Sequence, residues 1–291
     1  MNTKQFPIFY FSGTGNTWWV GQQLEAALNS RGFQSQAISI EQISPENVTT
    51  RIDQAEIIGL GYPIYGSDAP EIMKTFIENL PVVKTPKKMM IYITQMAWSG
   101  NGAYFMRRQI EKKGYQIDWA IHFNMPSNIP VDLPSISTSS DYDKFIPLLE
   151  KRRQQAEKLA DRIVTNKTWI HGNNPVSFLA SWLQRGPWQF IYKWAQNHTL
   201  SVDPDKCSHC GRCERICPSE NIHLIDGLPV FGDQCNLCMR CYSFCPEQAI
   251  LVYKRPFNTK RFGDKPFQGP VPEFKPELID HKVETKEMSI K

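Results

Sequence analysis

From Gln5 to about Lys167 the chain alternates short apolar runs, rich in β-branched and aromatic residues, with segments whose apolar residues recur at helical spacing. That alternation predicts a parallel sheet with helices on both faces. Five runs read as strands: PIFYFS from Pro7, QSQAISI from Gln34, EIIGLGYP from Glu56, MMIYITQ from Met89 and YQIDWAIHF from Tyr115. Helices are predicted near residues 16–30, 70–79 and 102–113. A last helix starts at a capping Asp141 and aligns Phe145, Leu148, Leu149, Ala156, Leu159, Ala160 and Ile163 on one stripe, leaving the charged run EKRRQQ to solvent.

The pattern changes after residue 167. Across 168–200, Phe178, Leu179, Trp182, Leu183, Trp188, Phe190, Ile191 and Trp194 fall into two short helical patterns separated by Gly186-Pro187. So apolar a segment is not a free linker. The first expectation is glue between domains or between the subunits of a homodimer; docking on a membrane surface and a cover over substrate stand as alternatives. Residues 201–253 form a cysteine-dense unit, and 254–291, with Pro256, Pro266, Pro270, Pro272 and Pro276, read as an extended tail, wrapped on the body or disordered. The expected domains are therefore 1–167, a connector at 168–200, 201–253 and the tail.

Composition narrows the classes. A chain of 291 residues with 41% hydrophobic content fills the cores of two domains. A net charge of +4, without basic runs interleaved with stacking aromatics, argues against a nucleic-acid partner. The start, MNTKQFPIFYFSG, has an apolar run shorter than a signal peptide needs, and nothing later approaches the roughly 20 apolar residues that span a bilayer. The expected location is the cytoplasm.

All eight cysteines lie between Cys207 and Cys245. KCSHCGRCERICPSENI from Lys206 recurs 28 residues later as QCNLCMRCYSFCPEQAI from Gln234, and each copy reads C-x2-C-x2-C-x3-C-P. A thiolate at every third residue lets one tight turn supply three ligands to an iron-sulfur cube, and the fourth Cys of such a run belongs to the other cube. The expected ligand sets are Cys207, Cys210, Cys213 and Cys245 for one [4Fe-4S] cluster, and Cys235, Cys238, Cys241 and Cys217 for a second. Disulfides are disfavoured in a cytosolic chain, and zinc gives no reason for the x3-C-P ending to occur twice. The segment resembles a bacterial two-cluster ferredoxin, in which a proline follows each crossing cysteine as Pro218 and Pro246 do here, with Ile216, Ile222, Ile250 and Val252 packing around the cubes. Residues 201–253 hold seven acidic and four basic side chains, a balance of −3. Anionic cubes without a compensating cation favour the oxidised state, so low-potential centres are expected. His209 and His223 lie nearby but are expected at the surface, since eight thiolates complete both cubes.

The stretch YFSGTGNTWWV from Tyr10 has the form of a phosphate loop. No Lys follows either glycine, which excludes a Walker A loop, and Trp18 stands where a dinucleotide fingerprint needs its third glycine. Glu41, at the end of the second strand, keeps the dinucleotide alternative open. The pattern S-x-T-G-N-T resembles the FMN phosphate loop of the flavodoxin family. The resemblance implies a doubly wound α/β fold with five parallel strands in the order 2-1-3-4-5, and an FMN phosphate held by Ser12, Gly13, Thr14, Gly15, Asn16 and Thr17 through hydroxyls, backbone N–H groups and the helix dipole, with no basic residue in the loop. Two further loops follow strands three and four. In GYPIYGSDAP, Pro63, Tyr65 and Gly66 match the family's second loop and Tyr65 would stack on the isoalloxazine. In TQMAWSGNGA, Trp98 would cover the other face, with Gly100, Asn101 and Gly102 letting backbone approach the pyrimidine edge; ordinary loop packing is the alternative for both rings. FNMPSNIPVDLP from Phe123 is similar to an M-P-x-N-Y segment of bacterial proteins that fuse a flavodoxin-like domain to a C-terminal ferredoxin, with Ile129 in place of the Tyr, and it puts Asn128 on the flavin side. That resemblance spans residues 5–253 and implies an FMN and iron-sulfur oxidoreductase that joins one-electron donors to a two-electron acceptor. The acceptor is either a small molecule over the flavin or, for a pure carrier, a redox partner protein.

Overall fold

The computed structural model describes residues 4–66, 68–128, 142–259 and 263–280. The chain divides into two compact units, one of Met1–Ser12, Asn16–Met125 and Pro147–Gly186, the other of Gly13–Gly15, Pro126–Ile146 and Pro187–Lys291.

The first unit contains β1 (Lys4–Tyr10), α1 (Asn16–Asn29), β2 (Phe33–Ser39), α2 (Pro45–Gln54), β3 (Ile57–Pro63), α3 (Glu71–Glu78), β4 (Lys87–Gln95), α4 (Arg107–Glu111), β5 (Tyr115–Asn124) and most of α5 (Ile146–Val164), then β6 (Trp169–Ile170) and the first half of α6 (Pro175–His198). The sheet runs β2-β1-β3-β4-β5-β6, with every pair parallel. The five expected strands and their flavodoxin-like order are present, and β6 extends the edge by two residues, too few to leave an alternating pattern. Helix α2 is also additional. It buries only Val48 and Ile52, so its apolar stripe is faint, and it is set instead by the Ser44 side chain capping the Asn47 N–H at 3.3 Å and by Pro45 in its first turn.

Strand β3 is buried at all seven positions, as a central parallel strand covered on both faces must be. One of those positions, Gly61, and one on α1, Gly21, are glycine because of a single side chain on β4. A Cβ at Gly61 would overlap the Tyr92 ring, and one at Gly21 of α1 would lie 2.7 Å from the Tyr92 hydroxyl. Through that gap the hydroxyl donates to the Thr17 carbonyl at 3.1 Å, and the Thr17 and Thr94 hydroxyls meet at 2.8 Å. Burial holds the Tyr92 phenol well above its usual range, so it stays a neutral donor.

Near the other edge, His122 of β5 is buried, and its Nε2 accepts the Ala103 N–H at 3.2 Å. His171, just past β6, stands edge-on to it at 5.5 Å between ring centroids. Burial, with a smaller contribution from His171, pushes the His122 pKa down to about 4.

The second unit repeats itself. α7 (Arg212–Arg215) and α8 (Arg240–Ser243) each start after a residue in the left-handed region, Gly211 at φ +67° and Met239 at φ +64°. β7 (Leu200–Val202) pairs antiparallel with β10 (Ile250–Val252), and β8 (Ile222–Ile225) with β9 (Leu228–Phe231). Ile222, Met239, Tyr242, Ile250, Val252 and Phe257 form the core between the cysteines. The proline-rich tail wraps on this body as far as residue 280: Phe267, Phe274 and Ile279 are buried, and Arg212 Nε pairs with Glu277 at 2.9 Å. Asp141, expected as a cap, lies outside the described residues.

The segment expected as two helices is one. α6 runs unbroken through Gly186-Pro187, although proline removes one rung of the helical ladder. Each half is pinned within its own unit: Ser181 and Arg185 bond to Asn101, while Tyr192 Oη donates to the Asn236 carbonyl at 3.0 Å and Gln196 to the Cys235 carbonyl at 2.7 Å.

Gly61→Ala is expected to destabilise the protein by about 3 kcal/mol, because the buried Tyr92 ring leaves no room for a methyl group; a matching fall in urea midpoint at unchanged slope checks this. The unfolded chain protonates His122 near its ordinary value while the native state keeps it neutral, so its contribution is complete above about pH 6.5 and lost as pH falls toward 4, on the order of 3 kcal/mol over that window. Urea titrations at about pH 7 and about pH 5 should show the loss, and His122→Gln should flatten it.

Candidate functional site

The loop between β1 and α1 buries the hydroxyl residues Ser12, Thr14 and Thr17 and takes Gly15 to φ +99°, a region that side chains disfavour. α1 has no acidic residue in its first turn, so its N-terminal N–H groups and dipole favour an anion. Hydroxyls and amides of this kind fit a phosphate monoester. Residues 13–15 pack within the second unit. Arg240 Nε donates to the Gly13 carbonyl at 3.1 Å, and the Phe274 ring lies 2.7 Å from where a Gly15 Cβ would stand. No basic residue lies in the loop itself, as expected, but the fold brings a fully buried Arg240 to its carbonyl side, with Nη1 also on the Ile216 carbonyl at 3.4 Å.

After β3 the chain turns sharply. Tyr65 and Asp68 exchange backbone hydrogen bonds of 2.9 and 3.0 Å, with Gly66 at φ +55°. Pro63 and Tyr65 are buried and Gly66 is exposed. The Asp68 carboxylate is committed, accepting the Ala69 N–H at 2.8 Å and pairing with Lys74 at 2.7 Å. After β4, Trp98 is 53% exposed, while Gly100 sits at φ +62° against Ser181 and Ser177 of α6. The Asn101 N–H donates to Ser181 Oγ at 2.7 Å, and Asn101 Oδ1 accepts Arg185 Nη1 at 2.9 Å. The Arg185 guanidinium in turn lies 3.5 Å from the centre of the Phe105 ring. The glycines of this loop thus serve protein neighbours: Gly100 makes room for α6, and Gly102 for Ser99, Ile93 and Ile64. Burial lowers the Arg185 pKa, with Asp68 and Tyr62 acting in the opposite direction. Asn128 is half-buried at the end of the described β5 extension, and Ile129 lies outside the described residues.

In the second unit, Cys207, Cys210, Cys213 and Cys245 line one cavity together with Leu224 and Ile250. The charge of Cys217 raises the pKa of Cys235, Cys238 and Cys241, so it lies near all three, and Cys213 of the other set also acts on Cys241. All eight are free thiols. Burial is the main cause pushing Cys213 and Cys235 up to about 11 and Cys238 up to about 12; Arg240 opposes it at Cys238. Backbone N–H groups already point at sulfur, from Asn221 to Cys217 at 3.3 Å, Leu237 to Cys235 at 3.4 Å and Ala249 to Cys245 at 3.3 Å. Reduced, amide-solvated thiols around a cavity fit iron-sulfur ligation, in which the metal itself removes the proton. Among the described residues no set of three or more His, Cys, Asp or Glu side chains is placed to hold a single metal ion.

Arg240 and Arg185 are the residues that sequence reasoning missed. For Arg185 a signal existed: Ser177, Ser181 and Arg185, four residues apart, form a polar line in an otherwise apolar segment. Arg240 left none, since it reaches a partner 227 positions away.

Comparison with known proteins agrees with this layout. Two 4Fe-4S binding domain models match residues 200–223 and 233–253. The N-terminal part is 29% identical over 126 residues to a flavodoxin of Megasphaera elsdenii, covering 42% of this chain and 89% of that protein. It is 24% identical over 109 residues to a putative diflavin flavoprotein A 5 of Nostoc sp., covering 38% of this chain and 19% of that protein. An archaeal flavodoxin structure superposes with a TM-score of 0.38 at 16% identity, covering 55% of this chain and 98% of that one. The chain joins a flavodoxin-like N-terminal α/β unit to C-terminal 4Fe-4S binding domains, the make-up of a flavin and iron-sulfur electron-transfer protein.

Proposed function

We propose that the protein passes electrons between two [4Fe-4S] clusters and one FMN, coupling one-electron donors to a two-electron acceptor. The observation that supports this reading best is that Cys245 lines one cavity with Cys207, Cys210 and Cys213, while Cys217 acts on Cys235, Cys238 and Cys241 through its charge. When bound, each cube passes one electron and FMN takes them singly or in pairs, which makes their union a converter between the two kinds of chemistry.

The chain's own residues bind, orient and tune. Ser12, Thr14 and Thr17 with the first N–H groups of α1 hold the phosphate. Tyr65 and Trp98 orient the ring system, and α6 fixes the loop that carries Trp98 through Ser181 and Arg185. Arg240, buried beside Cys238, would offset negative charge on a cluster held by Cys217, Cys235, Cys238 and Cys241 and so ease its reduction. In the enzyme form of the reading, a quinone or unsaturated carbonyl compound binds beside Tyr65, Trp98 and Asn128. In the carrier form no small substrate binds and the flavin edge meets a redox partner protein; the carboxylate nearest in sequence to Tyr65, Asp68, is paired with Lys74.

Protein purified without oxygen should carry about eight irons and about one FMN per chain; zinc in place of iron would overturn the assignment. Cys245→Ser should abolish the paramagnetic signal of the cluster at Cys207, Cys210 and Cys213 and spare the other. Loss of the opposite signal would mean that the fourth ligands do not cross.

A further inference from the structure

Helix α6 is amphipathic in the reversed sense. Ser177, Ser181 and Arg185 are 5%, 1% and 7% exposed and turn into the body, where Ser181 and Arg185 bond to Asn101. Val176, Leu179, Trp182, Leu183, Phe190 and Trp194 are between 55% and 82% exposed. At about 100° per residue these six positions share an arc of roughly 120° along a helix roughly 36 Å long. Single exposed apolar residues are ordinary, but a continuous stripe with the polar side chains turned inward marks a surface meant for a partner.

The charge around the stripe says which partner. No Asp or Glu occurs from Lys167 to Val202. Lys193 is exposed at the edge of the stripe, and the Trp194 ring stacks on Tyr253 at 6.3 Å, next in the chain to the exposed Lys254 and Arg255. The same arc also carries the exposed Lys193 and Asn197, so the one charge within it is positive. An apolar face with tryptophans and a cationic rim matches the boundary between acyl chains and anionic headgroups. No helix among the described residues is long and apolar enough to cross a membrane, which leaves the helix lying in the surface plane.

We propose that α6 docks the protein on an anionic lipid surface, with Val176, Leu179, Trp182, Leu183, Phe190 and Trp194 entering the acyl boundary and Lys193, Lys254 and Arg255 meeting lipid phosphates.

The test is flotation of the full-length, cofactor-loaded protein with vesicles of phosphatidylcholine, alone or with about 30% phosphatidylglycerol. The protein should float with the anionic vesicles, and partitioning should fall at least about tenfold without phosphatidylglycerol or at about 1 M salt. The double substitution Leu179→Glu and Trp182→Glu should abolish flotation while circular dichroism and the visible cofactor spectrum stay unchanged. Lys254→Glu with Arg255→Glu should remove the preference for anionic lipid and leave a residual, charge-independent binding. Wild-type protein that stays at the bottom with both vesicle types overturns the proposal, as does flotation indifferent to the Leu179 and Trp182 changes. A dimer in analytical ultracentrifugation that those changes dissociate, without vesicle binding, assigns the stripe to a second copy of the chain and likewise overturns it.

Discussion

The Tyr92 phenol is the contact on which the N-terminal unit is arranged. It rises from β4, crosses the glycine gap at Gly61 on β3, passes Gly21 on α1 and ends on the Thr17 carbonyl. One side chain thereby ties the strand that leads into the Trp98 loop to the helix turn that closes the phosphate loop. Thr94, two residues further along the same strand, adds the hydroxyl contact to Thr17. A buried hydrogen bond of this kind contributes only about 1 kcal/mol net, but leaving either partner unsatisfied costs more, so the register between the two loops is held tightly.

The helix α6 links sequence regions that looked unrelated. Its inward polar line closes the Trp98 loop, so the segment expected as a connector is part of the candidate flavin site. Its continuity through Pro187 follows from tertiary bonds on both halves, which outweigh a local break that propensity alone would favour.

What could be read from the chain was what depends on local spacing. The five strands came from short runs rich in β-branched and aromatic residues, and the cysteine repeat from ligand geometry within a single turn of backbone. α2 escaped because two buried residues, Val48 and Ile52, make too weak a stripe, and β6 because two residues show no period. The Gly100 and Asn101 loop was read for a ligand because its neighbour, Ser181, is 80 positions away, and only the fold shows that a helix fills that space. Arg240 belongs to the same class. A charge count over 201–253 sees a negative segment, and only the tertiary structure turns one of its cations inward among thiols.

That cation makes the two cysteine sets unequal in a further sense. Cys235, Cys238 and Cys241 are buried beside a permanently charged guanidinium, whereas Cys210 is exposed and Cys207 half-buried. The same guanidinium donates to the Gly13 and Ile216 carbonyls, so a substitution at this one position would disturb the cysteine set and the turn at Gly13 together.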